Sequence, residues 1–186
     1  MEMNDKVKDT LFEIALKEYE KLKDEQTQRI GFRDNMLYVT LAAIGGVISF
    51  ALSANNPHSA LLLIPWICIV LGWTYLVNDE KISSIGKYLR VKLNERVRQQ
   101  MGLSEQVLWG WEVAHRSDPR RVQRKVIQCI VDEIAFCLSG ILSVIAYLSL
   151  DPISWPVLAF CIIEIIMLFA LGIEIVIYAD FKQGKA

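Results

Sequence analysis

Four acidic side chains lie in or against long apolar runs of this sequence, and they are its first candidates for chemistry: Glu164, Glu174, Asp132 and Glu133. Glu164 stands near the centre of the run over residues 153–179, ISWPVLAFCIIEIIMLFALGIEIVIYA. An ionised carboxylate at the centre of a membrane span costs about 3 kcal/mol on insertion scales, and such groups face a bundle interior or a water-filled cavity. Two roles suit it: a hydrogen bond that packs two helices or two subunits, or a station on a proton or cation path. The polar partners available in other apolar runs are Thr40, Ser49, Thr74, Ser139 and Ser143, and depth favours Ser49 or Ser143 over Thr74. Glu174 follows ten residues later, about 15 Å along a helix. It then shares a depth with Asp132 and Glu133, which stand at the entrance of the run over residues 134–150. These three carboxylates are placed to form an inner mouth, either a cation-attracting vestibule or an ordinary hydrated helix end. A second polar group is expected between Arg33 and Asp79 or Glu80, which flank the first two apolar runs. A charge-assisted hydrogen bond there would set orientation more than stability.

Other chemistry is not signalled. The sequence has no GxGxxG, no phosphate-binding glycine loop and no HExxH. Its two histidines, His58 and His115, lie apart, the first in a turn and the second beside Arg116 at a predicted helix end. Cys68, Cys129, Cys137 and Cys161 form no Cys-x-x-Cys pair and sit among apolar residues, where a free thiol behaves as a small hydrophobe. No catalytic residue, metal or cofactor is expected, and the reading is non-enzymatic.

The elements that must position these residues follow from hydropathy. No Asp, Glu, Lys or Arg occurs between Asn35 and Asn78, a gap foreign to a simple soluble globule. Residues 36–54 and 60–77 are two apolar runs of nearly spanning length, joined by Asn55, Asn56, Pro57, His58 and Ser59. Pro65 is expected to kink the second run. Residues 134–150 and 153–179 form a second pair joined at Asp151 and Pro152. Spans are therefore expected near 36–54, 60–77, 130–150 and 154–178. Tyr38, Trp66, Trp73, Tyr75, Trp155 and Tyr178 read as interface anchors. Ahead of the first run, residues 4–31 read as an amphipathic helix, with Val7, Leu11, Ile14, Ala15, Glu18 and Leu22 on one stripe and Phe12, Ala15, Tyr19 and Leu22 on the next. Residues 80–100 repeat Ile82, Ile85, Leu89, Leu93, Val97 and Met101 at helical spacing and stop at Gly102. Ser104 is expected to cap a short helix with Val107, Leu108, Trp111 and Ala114, and Ser117-Asp118-Pro119 to start the helix that enters the third span.

Charge decides orientation. The chain has 20 Lys and Arg against 21 Asp and Glu, too balanced for a dedicated nucleic-acid binder. Every basic residue falls in residues 1–35, 78–128 or 180–186, and none in the four runs or the two turns. The positive-inside rule then places both termini and the central segment in the cytoplasm. The expected fold is all-α and integral to the membrane: four transmembrane helices as two antiparallel hairpins (36–77 and 129–179), with cytoplasmic helices at 1–35 and 78–128 and a tail at 180–186. Gly45, Ser49 and Ser53 recur at four on the first span, and Ser139 and Ser143 on the third, a pattern that lets helices approach closely in lipid.

The halves also look alike. Gly45-Gly46-Val47-Ile48-Ser49 matches Ser139-Gly140-Ile141-Leu142-Ser143, Gln28-Arg29 matches Gln123-Arg124, and Pro57 matches Pro152. Duplication and convergent hairpin chemistry both account for this. The stretches Gln28-Arg29-Ile30-Gly31-Phe32-Arg33-Asp34-Asn35 and Asn78-Asp79-Glu80-Lys81 resemble the flanks of small prokaryotic membrane proteins with paired spans, among them the two-span effectors of nucleotide-signalling and conflict systems. Four spans depart from that pattern unless the chain is a fused pair. The resemblance implies a self-associating plasma-membrane sensor or effector. Its expected partners are membrane lipid, further copies of the chain, and an unidentified protein or small-molecule signal, with no nucleic acid. The alternative is a small cation or proton channel or transporter built on Glu164.

Overall fold

The computed structural model describes residues 2–53, 57–103, 108–111, 114, 118–150, 152 and 154–179. Asn55, Asn56, Ser104, Val107, His115, Asp151 and the tail from Asp180 lie outside the described residues. The protein is all-α, with four helices long and apolar enough to cross a membrane.

Helix α1 runs unbroken over Glu2–Ala51. Sequence reading divides it into a polar helix and a span, but no proline interrupts it, and Gly31 alone costs an interior helix only about 1 kcal/mol. Helix α2, Leu63–Lys87, continues through a π-helical turn at Tyr88–Leu93 into α3, Asn94–Met101. The polar residues Asn78–Lys81 end the apolar run but not the helix, for the same reason. Pro65 does not fall in the interior of α2. A 3₁₀ turn over His58–Leu62 precedes the helix, so Pro65 falls in its first turn, where a missing N–H removes no helical bond. At the far end Gly102 takes φ +68°, and the amides of Gly102 and Leu103 donate back to the carbonyls of Gln99 (3.4 Å) and Arg98 (3.0 Å). Glycine fits because only it adopts this left-handed cap without strain.

Helix α4, Arg121–Asp132, begins slightly later than expected. Asp118 instead closes a turn, its carboxylate accepting from the Arg120 amide at 2.8 Å. That amide and the nearby Arg124 hold the Asp118 carboxyl below its usual range. A second π turn, Glu133–Leu138, leads into α5, Ser139–Leu150, and α6 covers Trp155–Tyr178.

Three apolar layers hold the helices together. Farthest from the polar ends, Ala51, Leu61, Ile64, Cys68, Val144, Cys161 and Leu168 pack together. A middle layer joins Tyr75, Leu76, Phe136, Cys137, Leu171 and Ile175. Beyond it, Ala15 of α1 meets Leu89, Leu93 and Val97, and the Tyr19 ring stacks on Trp109 at 4.9 Å. Ala15, Tyr19 and Leu22 thus carry the α1 contact, whereas Val7, Leu11 and Ile14 of the expected stripe are exposed. At this end Glu18 accepts from the hydroxyl of Tyr88 and from Arg96 at 3.1 Å. The hydrogen bond to Glu18 raises the Tyr88 phenol above its usual pKa.

Glycines mark where the helices meet most closely. A Cβ on Gly72 would come 2.8 Å from Leu171 and 3.0 Å from Phe136, and one on Gly140 would come 2.8 Å from Leu168. The expected ladder on the first span behaves differently: Gly45 and Gly46 have open space around them, and Ser49 is exposed. Of the matched positions, Gly46 and Ser49 are exposed where Gly140 and Ser143 are buried, while Ile48 and Leu142 are both exposed. Among the expected interface aromatics, Trp155, Tyr38 and Trp73 are exposed, whereas Tyr75 turns inward against Phe136, with ring centroids 5.2 Å apart.

Candidate functional site

Glu164 lies on the face of α6 that repeats Cys161, Glu164, Leu168, Leu171 and Ile175, a spacing of three and four that points one stripe at the other helices. Its neighbours on the opposite face, Ile162, Ile163, Ile166 and Phe169, are exposed. The side chain is 0% exposed. Neither carboxyl oxygen has a hydrogen-bond partner among the described residues. Trp66, tilted against Phe160 with ring centroids 6.1 Å apart, is its polar neighbour but stays outside hydrogen-bonding geometry. The hydroxyls expected to reach Glu164 are engaged on their own helices. Thr40 donates to the Met36 carbonyl at 2.7 Å, Thr74 to Val70 at 2.8 Å, Ser139 to Ile134 at 2.9 Å and Ser143 to Gly140 at 2.7 Å. This follows from helical geometry, since Ser and Thr bond readily to the carbonyl one turn back. Ser49 faces outward.

The second polar site lies at the other end of the middle layer. Arg33 donates from Nη1 to Asp79 Oδ1 at 2.7 Å and from Nη2 to Asp34 Oδ1 at 2.8 Å. Its guanidinium carbon stands 5.9 Å from the centroid of the Tyr75 ring, within cation–π range. Burial works against the charge, but the bonds to Asp34 and Asp79 outweigh it and hold the Arg33 pKa above its usual value. Glu80 does not join. It accepts from Ser84 at 2.8 Å, with Lys81 3.9 Å away. Lys125 of α4 reaches the second oxygen of Asp79 at 3.4 Å, so Asp79 ties α1, α2 and α4 together. Around this centre Arg29 donates to Asn78 at 3.2 Å, Gln26 to the Ile82 carbonyl at 3.1 Å, and Gln128 to the Tyr75 hydroxyl at 2.9 Å.

Asp132 is buried against Tyr75 and lines a small cavity of about 20 Å³ with Asp79, Lys125 and Gln128. Glu133, one residue on, faces away from it, into a groove beside Gly172. Glu174 lines neither space and is half-buried. The three carboxylates considered for an inner mouth thus point to different surroundings. Among the described residues no group of three or more His, Cys, Asp or Glu is arranged to hold a metal ion. Sequence reading overlooked Lys125, Gln128 and Tyr75 as members of this polar layer. Their signal was present: Lys125, Gln128 and Asp132 recur at three and four on one face of α4. The four cysteines are free thiols.

No family model, curated protein or solved structure matches the chain.

Proposed function

We propose that this is a non-enzymatic plasma-membrane protein that self-associates through its first span and couples that association to its polar helices, as a sensor or effector. Two antiparallel hairpins span the bilayer, with both termini and the α3–α4 segment cytoplasmic. The observation that carries the reading is the open face of α1: Gly45 and Gly46 meet nothing within 4 Å, and Ser49 is exposed. Lipid supplies no hydrophobic drive for helices to associate, so close backbone approach at small residues is the available force. Because α1 is one rod from Glu2 to Ala51, a shift of this face is felt at Ala15 and Glu18, which contact the polar end of the α2–α3 rod. The resemblance to paired-span effectors supports the same reading.

A cysteine-free chain carrying Ser49→Cys tests it. In bilayer nanodiscs or native membranes it is expected to cross-link to a second copy, while a cysteine at Ile166, on the outward face of α6, is not. Absence of a cross-link at position 49, with a monomeric mass, would remove the proposal.

A second reading has its own support: Glu164 as a proton station. A buried carboxyl without partners is costly, and such groups in spans serve ion and proton paths. Flux through proteoliposomes should then vanish in Glu164→Gln while the protein still inserts. Wild-type flux and pH response in that variant would exclude this reading.

A further inference from the structure

Helices α4 and α5 on one side and α6 on the other enclose a groove of about 760 Å³ to which neither α1 nor α2 contributes. Its walls are apolar: Ile130, Ile134 and Ile141 face Phe169 and Ile173. From Ile130 to Ile141 the helix rises about 16 Å. That is about half of a hydrocarbon core roughly 30 Å thick, the depth of one leaflet. Among the described residues Glu133 is the one charged member of the lining, and it stands near the groove's polar end. Its Oε1 is enclosed and has no hydrogen-bond partner among the described residues. Its Oε2 lies over Gly172, where a Cβ would sit 3.0 Å away. A glycine at that point leaves the carboxylate room beside the groove.

We propose that the groove is a lipid site that takes one acyl chain of a phospholipid bearing a primary ammonium headgroup, with the ammonium donating to Glu133. The groove's length fits a single-leaflet chain. The carboxylate is an acceptor only, so it complements a cation that carries N–H donors. A trimethylated ammonium has the same charge but no N–H, so it cannot donate to the carboxylate. The site is independent of self-association at α1 and of any proton path at Glu164.

The test uses the full chain in nanodiscs of equimolar phosphatidylethanolamine and phosphatidylcholine, with bound lipid counted by native mass spectrometry after release. The wild type should retain the ethanolamine lipid with at least a fivefold preference. Glu133→Gln should bring that ratio near one while chain occupancy persists. Ile173→Trp should fill the groove, leave Glu133 in place and lower retention of both lipids. The wild-type comparison decides even where a variant fails to fold. Equal retention of the two lipids by the wild type, or an unchanged preference in folded Glu133→Gln, would overturn the proposal. A cysteine at Ile173 that cross-links to a second copy would also overturn it, by assigning the groove to a subunit interface.

Discussion

At the scale of residues, two inward carboxyl groups behave oppositely because their partners differ. Asp79 receives Arg33 and Lys125, whereas Glu164 accepts a hydrogen bond from none of the described residues. Removing one partner of a well-made, mostly buried pair strands the other, so Asp79→Ala is expected to cost about 3 kcal/mol. Arg33→Lys should recover only part of the loss in Arg33→Ala, because lysine cannot bond Asp34 and Asp79 together while lying on the Tyr75 ring. Chemical or thermal unfolding in detergent would measure both, and a fully silent Asp79→Ala would contradict the assignment. Glu164→Leu should do the reverse. Replacing an unpartnered buried acid with an apolar side chain of similar size is expected to stabilise by about 1–3 kcal/mol. If the melting temperature falls instead, Glu164 has a partner that this arrangement lacks. A stabilising replacement that abolishes flux or signalling would show stability given up for function.

At the scale of elements, the glycines separate internal packing from outward association. Gly72→Leu forces a side chain into Leu171 and Phe136 and should cost about 1–3 kcal/mol through overpacking. Gly45→Leu meets open space, so stability should hold while cross-linking between copies at Ser49 is lost; unfolding curves and cross-linking yields read the two effects separately. Periodicity made much of this legible. The stripe Ile85, Leu89, Leu93, Val97 and Met101 is the one that packs on α1, and Glu164 sits where its heptad-like neighbours point inward. What periodicity missed has physical causes. A helix with no proline at the change between polar and apolar residues runs on through it, so α1 and α2–α3 are longer than hydropathy alone suggests. Small-residue ladders are identical in composition whether they face protein or lipid, so Gly45 and Gly140 could not be told apart. Hydroxyls drawn as partners for Glu164 bond their own backbone instead. Lys125, Gln128 and Tyr75 escaped notice because their meeting depends on how α4 is rotated against α2.

At the scale of the whole molecule, the four apolar helices, the inward Glu164 and the Asp79-centred polar layer describe a bundle with a dry end and a charged end. Its basic residues all lie in segments at the charged end or in the tail, which motivates placing that end in the cytoplasm. Everything proposed about association, proton movement and the lipid groove presumes that these helices cross the bilayer in alternating directions. Accessibility labelling of single cysteines in a cysteine-free chain, performed in intact cells, tests this most directly. Cysteines at Asn56 and Asp151 should react with a membrane-impermeant reagent added outside, and one at Gln100 should react only after permeabilisation; reaction of the Gln100 position from outside would contradict the four-span arrangement.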